Sequence, residues 1–318
     1  MTKHLRGMLL GVLCALLIAA SPAIAQGPPW MRPVASSRTL PIGKTVLQVD
    51  FGPGTADLPE DRILQWVEHA AQAVSTYYGT FPVARARLFI EFAPDERGIS
   101  HGTTWGGVGG FPAFTRIRFG QHTTGQDLSD DWMLTHEFVH TAFPSVSDEH
   151  HWIEEGLATY IEPIARVQAG FLPPETIWSD MVRDMPKGNP HRSDGGLDGT
   201  QSWGRTYWGG AQFCLLADVN IRKETHNRKG LVDALRAIVA SGGTIDHDWP
   251  LRTAMAIGDK ATGTHVLTEL YNQMGNTQKS VDLNALWEEP GVEGSADGVH
   301  FDNNAPLASV RQAITHAD

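Results

Sequence analysis

Two histidines and a glutamate between positions 136 and 140 have the types and spacing to hold a metal ion and to use it. His136 and His140 are four positions apart, so on a helix they project from one face and their imidazoles can converge on a single ion. Glu137 lies beside them, where its carboxylate can accept a proton from a metal-bound water. Zinc lowers the pKa of such a water toward about 7 and polarises a carbonyl, so the pattern predicts metal-assisted hydrolysis.

A third ligand is needed, because a catalytic zinc usually takes three protein ligands and leaves its fourth position to water. A histidine at the metzincin spacing is excluded, since Phe143 and Val146 stand where that motif requires glycine and histidine. Glu155 is the candidate, and Gly156 beside it permits close approach of another backbone or of the metal. Glu154 is the alternative carboxylate.

Other polar residues near these positions have two interpretations each. His150 and His151 could be a further ligand or a proton donor, but neither has the spacing to join His136 and His140 on one face, and a solvated turn is the simpler interpretation. Thr159 lies one turn after Glu155 and could hydrogen-bond a ligand, although β-branched residues on a helix commonly face the core.

The residues before the histidines predict the helix that positions them. The run from Trp132 has no glycine or proline before Pro144, and Ser129 is placed to cap it, with Asp130 and Asp131 suited to its positive end. Upstream, alternating or periodic apolar residues predict a strand, a helix and two further strands, over residues 45–51, 59–78, 85–92 and 115–119.

Two further stretches extend the pattern. Trp152, Glu155, Gly156 and Ala158 form a Trp-x-x-Glu-Gly-x-Ala sequence, and residues 207–211 read Tyr-Trp-Gly-Gly-Ala. In these motifs the chain resembles the gluzincin zinc metallopeptidases, specifically the aminopeptidase N and glycyl aminopeptidase groups. The resemblance implies a zincin-like α+β fold, Glu155 as the third zinc ligand, and Tyr207 as the hydroxyl that stabilises the oxyanion.

The chain departs from those groups in two places. Only fourteen residues, 141 to 154, separate His140 from Glu155, which is a shorter interval than these families usually have. The aminopeptidases also carry a Gly-x-Met-x-Asn strand with a nearby acid that holds the substrate's free amine, whereas residues 105–111 here contain glycines and no carboxylate. Those glycines form either a substrate-lining edge strand or a flexible loop.

The N-terminus predicts export. Residues 1–25 have the charged start, the apolar run and the Ala-Ile-Ala end of a secretory signal peptide, and the apolar run is too short to span a membrane. Cys14 lies inside that run in a poor lipoprotein context, so we expect cleavage after Ala25, which leaves Cys214 as the single cysteine of the mature chain. We expect a periplasmic or extracellular protein with no membrane segment after cleavage.

Composition limits the partners. The formal net charge is −11 and no basic cluster is present that could follow a phosphate backbone, so nucleic acid is excluded as a predicted partner. Beyond the signal peptide the sequence predicts a tether over residues 26–44, a small mixed-sheet subdomain over 45–125, a helical zinc-binding subdomain over 126–275, and a C-terminal segment over 276–318. Residues 170–203 are rich in Pro, Gly, Asp and Ser and predict a long irregular segment.

These observations together predict a secreted zinc peptidase that binds one zinc ion through His136, His140 and Glu155. Glu137 would be the general base and Tyr207 the oxyanion stabiliser, and the partner would be a peptide or protein substrate. The alternative is a non-catalytic exported binding module with a zincin-like fold. The sequence leaves the oligomeric state, and the choice between endopeptidase and aminopeptidase, open.

Overall fold

A computed structural model describes residues 27–192, 194–200, 202–295 and 298–317. The predicted signal peptide, residues 1–25, lies outside the described residues. The predicted α+β class is confirmed: a mixed sheet occupies the N-terminal part and helices make up most of the remainder. No helix in the described part of the chain has the length and apolar character that crossing a membrane would require.

The N-terminal sheet has five strands in the order β1-β2-β3-β5-β4. The two outer pairs are antiparallel, and the β2–β3 and β3–β5 pairs are parallel. The strands are β1 (Ser36–Ile42), β2 (Thr45–Phe51), β3 (Arg85–Ala93), β4 (Ile99–Val108) and β5 (Phe111–Gly120). The glycine-rich stretch therefore forms the end of β4, an edge strand, and the turn that follows it.

Helix α1 (Glu60–Tyr78) connects β2 to β3, and it contacts both the sheet and the helices that follow the sheet in the chain. Its apolar residues recur at helical spacing, with Ile63, Val67 and Val74 fully buried. Acidic residues occupy its first turn, and Gly79, with φ of 82°, ends it in the left-handed conformation that favours glycine.

The interpretation of residues 26–44 as a surface tether is corrected for its second half. Ser36–Ile42 pair along their whole length with β2, from the Ser36–Phe51 pair to the Ile42–Thr45 pair. The sequence does not predict this strand, because β1 lies at the sheet edge and Leu40 is its only buried residue, so no apolar alternation is visible.

Ten α-helices follow the sheet in the described part of the chain. They are α2 (Gly125–Asp130), α3 (Met133–Val139), α4 (His151–Gln168), α5 (Pro174–Asp184), α6 (Gly210–Glu224), α7 (Leu231–Ala240), α8 (Leu251–Thr262), α9 (Val266–Met274), α10 (Leu283–Glu288) and α11 (Ala308–Thr315). A short hairpin of β6 (Val292–Ser295) and β7 (Gly298–Phe301) lies between α10 and α11.

Two expectations for this region are wrong in detail. Residues 170–203 are not irregular throughout, because α5 lies within them and buries Ile177, Trp178 and Met181 on one face. Ser129 does not cap α3, the helix that carries His136. It belongs to α2, and its hydroxyl donates to Gly125 O at 3.0 Å.

Candidate metal centre

Helix α3 presents the two histidines. Asp131 accepts hydrogen bonds from the first backbone N–H groups of α3, those of Met133 and Leu134, both at 3.2 Å, and so supplies the cap. His136 is buried in α3, and His140 follows its last residue in a single 3-10 turn. The two imidazole rings have centroids 4.9 Å apart and are nearly perpendicular, so both rings face one point.

Helix α4 brings Glu155 to the same point. Glu155 Oε2 lies 3.1 Å from His136 Nε2 and 3.8 Å from His140 Nε2. Each of the three residues offers a ligand atom, and these atoms all lie within 4.8 Å of one another. Glu154 instead contacts His151, with Oε2 3.0 Å from Nδ1. The carboxylate that joins the histidines is therefore Glu155.

The three donors fit zinc. Two imidazole nitrogens and one carboxylate oxygen are a common ligand set of catalytic zinc sites. Bond lengths of about 2.0–2.1 Å place tetrahedral donors roughly 3.3 Å apart, and the two distances of 3.1 and 3.8 Å bracket that separation. Burial alone would raise the pKa of the Glu155 carboxyl, but hydrogen bonds from His136 and His151 outweigh it and hold that pKa well below its usual value. The carboxylate is thus ionised and ready to bind a cation.

Burial also shifts the pKa values of the candidate ligand His140 and of the neighbouring acid Glu137. The pKa of His140 is lowered by its burial, which favours the neutral imidazole that binds metals. The pKa of Glu137 is raised, chiefly by burial of the carboxyl. A carboxylate with a raised pKa is a stronger base than an exposed one.

Strand β4 holds the Glu137 carboxylate from the side opposite the ligands. Thr104 Oγ1 donates to Glu137 Oε2 at 2.7 Å, and the same hydroxyl lies 3.0 Å from Thr115 Oγ1. Gly102 makes room for the carboxylate, because a Cβ at that position would lie 2.7 Å from Glu137 Oε1. Strand β4 therefore runs beside the site at Gly102 and Thr104. The glycine run lies farther along the chain, where Gly106 packs against the Ile245 backbone, and its role in lining a substrate stays a prediction.

A close helix crossing brings Tyr207 to the centre. Gly156 of α4 faces Gly210 of α6 so tightly that a Cβ on Gly156 would lie 2.4 Å from Gly210 Cα. Tyr207 lies just before Gly210, in a π-helical segment (Arg205–Gly209), a geometry that occurs frequently at functional sites. Gly156, next to the candidate third ligand, thus lets the backbone of α6 approach α4 closely, as its position in the sequence suggests.

The Tyr207 ring stacks at 6.1 Å on the imidazole of His136, with an angle of 12° between the planes. Burial of the phenol, followed by the charges of Glu155 and Glu137, raises its pKa well above the usual value. At neutral pH Tyr207 therefore keeps its proton and can donate a hydrogen bond at the centre.

The remaining polar candidates have other partners. His150 Nδ1 lies 2.9 Å from Asp198 Oδ1, away from the ligands. His151 Nε2 lies 3.3 Å from Glu155 Oε1, and hydrogen bonds to Glu154 and Glu155 raise its pKa to about 10. His151 thus supports a ligand rather than joining the ligand set. The Thr159 hydroxyl is buried and has no hydrogen-bond partner among the described residues.

Asp198 is a residue that the sequence pattern does not single out. Its carboxylate accepts from Trp152 Nε1 at 2.8 Å and from the Tyr271 hydroxyl at 2.8 Å, in addition to its contact with His150. These bonds fix the first turn of α4 and so the position of Glu155. No local signal identifies Asp198, because its partners lie up to 73 positions away.

Two carboxylates of the N-terminal sheet, Asp50 and Glu91, are paired with arginines. Asp50 forms an ion pair with Arg87 at 2.7 Å, and Glu91 pairs with Arg32. The β4 positions beside Glu137 are glycine and threonine, without a carboxylate.

The sheet, the helix pair and the convergent His-His-Glu set define a zincin-like α+β protein. Among solved structures, an aminopeptidase N family protein from Idiomarina loihiensis is similar over 81% of this chain and 49% of its own, with a TM-score of 0.58 and 13% identity. An M1 zinc metallopeptidase from Deinococcus radiodurans is similar over 76% of this chain and 52% of its own, with a TM-score of 0.48 and 15% identity.

The chain spans about half the length of these solved structures. No protein-family model and no curated protein matches the sequence. The resemblance to gluzincin aminopeptidases predicted from the motifs is confirmed at the level of the fold, since 13% identity relates structures rather than activities.

Proposed function

We propose that this chain is an exported zinc-dependent peptidase of the gluzincin type. The observation that carries the proposal is the convergence of His136, His140 and Glu155 on one point, with the Glu137 carboxylate held beside them by Thr104. A purely structural zinc site closes its fourth position with a protein ligand and needs no base, whereas here a buried carboxylate adjoins a set of three ligands. The N-terminal signal pattern supports export.

The proposed division of labour follows from the position of each residue. His136, His140 and Glu155 would hold zinc, which in such a site polarises a carbonyl and acidifies water. Glu137 accepts the proton of the attacking water and passes it to the leaving amine, for which its raised pKa suits it. Tyr207 keeps its proton and donates a hydrogen bond to the oxyanion, a contribution of about 3–4 kcal/mol for a single donor in other oxyanion sites.

The substrate we propose is an extended peptide. β4 is the edge strand of the sheet, so its free backbone N–H and C=O groups can pair with a peptide laid beside it. The part of β4 that we propose for this pairing is its first half, with Gly102 and Thr104 beside Glu137, because the Ile245 backbone already packs against Gly106.

The test compares zinc content and cleavage of a mixed peptide library by the wild type and Glu137→Gln. We expect one zinc per chain, chelator-sensitive cleavage by the wild type, and zinc retention with loss of nearly all turnover in the variant. Glu154→Gln is the matched control, because it changes the neighbouring acid that contacts His151 and not the metal; it should retain most activity. Zinc without cleavage in the wild type would favour a non-catalytic binding module, and unchanged activity in Glu137→Gln would refute the mechanism.

A further inference from the structure

A cavity of about 420 Å³ opens directly onto the candidate metal centre. His136 and Tyr207 belong both to its lining and to the centre. Its lining includes Thr159 of α4 and Met181 of α5, together with Trp203 and Trp208. We call it the aromatic pocket. A substrate held at the proposed zinc ligands would therefore have room for one of its side chains in this cavity.

Most of the acidic residues that line the aromatic pocket have basic partners. Glu162 is 2.9 Å from Arg166, and Asp184 is 2.6 Å from Arg183, whereas Asp130 accepts a hydrogen bond from the neutral amide of Gln126. Asp180 is also paired, at 2.6 Å from Arg183. The other walls are mainly apolar, formed by residues such as Leu172, Ile177, Met181, Met185, Trp203 and Trp208. An apolar substrate group that enters the pocket would therefore exchange water for apolar side chains.

Two tryptophans stand where the aromatic pocket meets solvent. Trp203 is 62% exposed and Trp132 is 48% exposed, and both line the cavity. Trp203 stacks on Tyr207 at 5.0 Å, and the Trp132 ring meets His136 edge-on at 5.4 Å. Exposed rings of this size gain free energy when another apolar surface covers them. Trp203 contacts the proposed catalytic residue Tyr207, and Trp132 contacts the proposed ligand His136. We therefore expect the apolar surface that covers the two indole rings to belong to the substrate.

We propose that the aromatic pocket binds a large apolar side chain, aromatic by preference, of the residue next to the scissile bond. The inference rests on the proposed peptidase function and adds its substrate class. Volume, mainly apolar walls and exposed indoles favour a ring such as that of phenylalanine over a small side chain.

The pocket can be filled by mutation without disturbing the core. Thr176 of α5 is half-buried and lines the cavity, so Thr176→Trp places a ring in the space intended for the substrate. Glu175→Trp is the matched control, because its side chain is exposed, belongs to the same helix and does not line the cavity. Far-ultraviolet circular dichroism and zinc content would show that both variants fold like the wild type.

Binding is measured first, by calorimetry of zinc-loaded Glu137→Gln with N-acetyl-phenylalanine amide and N-acetyl-alanine amide. We expect the phenylalanine compound to bind about tenfold or more tightly, from the larger apolar surface that it buries. Adding Thr176→Trp should remove that preference, and adding Glu175→Trp should leave it. Equal binding of the two compounds, or equal effects of the two tryptophans, would overturn the proposal even if no peptide is cleaved.

Cleavage provides the second measurement. In a peptide library we expect kcat/KM to be roughly tenfold to a hundredfold higher for phenylalanine than for alanine at one position next to the cleaved bond, and this ratio should fall by about tenfold in Thr176→Trp. Chelator-sensitive cleavage without an aromatic preference would overturn the pocket assignment and leave the peptidase function intact. An absence of all cleavage would refute the peptidase function, and the calorimetric preference would then decide the pocket assignment alone.

Discussion

The crossing of α4 and α6 makes Gly156→Ala a quantitative test of how the centre is built. A Cβ at position 156 would lie 2.4 Å from both Cα and the carbonyl carbon of Gly210, whereas ordinary contacts lie at 3.4–4 Å. These neighbours are backbone atoms, which cannot turn aside as a side chain can. The two helices must therefore separate by about 1 Å to restore ordinary contacts.

Two opposing effects decide the change in stability. Alanine is better than glycine in a helix by about 1 kcal/mol, but overpacking against rigid neighbours costs up to about 3 kcal/mol, so we expect a net loss of roughly 2 kcal/mol. That loss corresponds to a fall in Tm of roughly 4–8 °C. Because the same separation moves Tyr207 relative to Glu155, we expect kcat/KM to fall by about a hundredfold.

Thermal unfolding and peptide cleavage measure the two effects of Gly156→Ala. Gly125→Ala is the control: a Cβ there would meet only Arg62 Nη2, at 3.7 Å, so Tm and activity should remain close to those of the wild type. If Gly156→Ala unfolds at the wild-type temperature and cleaves at the wild-type rate, the close crossing does not position Tyr207.

Three further predictions concern single hydrogen bonds. Thr104→Val should lower kcat about tenfold with little change in KM, because Glu137 loses its donor; Thr104→Ser should restore the rate, and failure of that rescue would contradict a positioning role. Tyr207→Phe should lower kcat by about a hundredfold, and an effect mainly on KM would instead make Tyr207 a substrate contact. Asp198→Ala should reduce the free energy of unfolding by about 2–3 kcal/mol in urea titrations, since the Trp152 indole N–H loses its partner; an unchanged midpoint would show that this bond is dispensable.

The parts of the site that follow from local periodicity were accessible in the sequence. His136 and His140 meet because helical geometry sets residues four apart on one face, and the alternation in residues 45–51 gives β2. Glu155 required more than periodicity, since Glu154 has the same chemistry. The neighbouring Gly156 favoured Glu155, and in the structure Glu155 is the carboxylate that lies within 3.8 Å of both histidines, while its role as a zinc ligand stays a prediction.

The parts that depend on long-range contacts were not accessible. Thr104 lies 33 positions from Glu137, and a threonine in a glycine-rich stretch gives no sign of its partner. The strand β1 was missed since its exposed side chains hide the alternation, with Leu40 alone buried. Helix α5 was missed because prolines and glycines surround it, although Ile177 and Met181 have helical spacing.

The distances along the chain between the members of the centre have a consequence for its folding. The three proposed zinc ligands lie within 20 residues, from His136 to Glu155, so closing the loop between them costs little conformational entropy. Thr104 and Tyr207 come from strand and helix segments far outside that loop, and only the assembled fold brings them in. We therefore expect metal binding to depend mainly on this short loop and turnover to depend on the whole fold. In rising denaturant, catalysis should disappear while the zinc remains bound, and on refolding the ion should return before the activity.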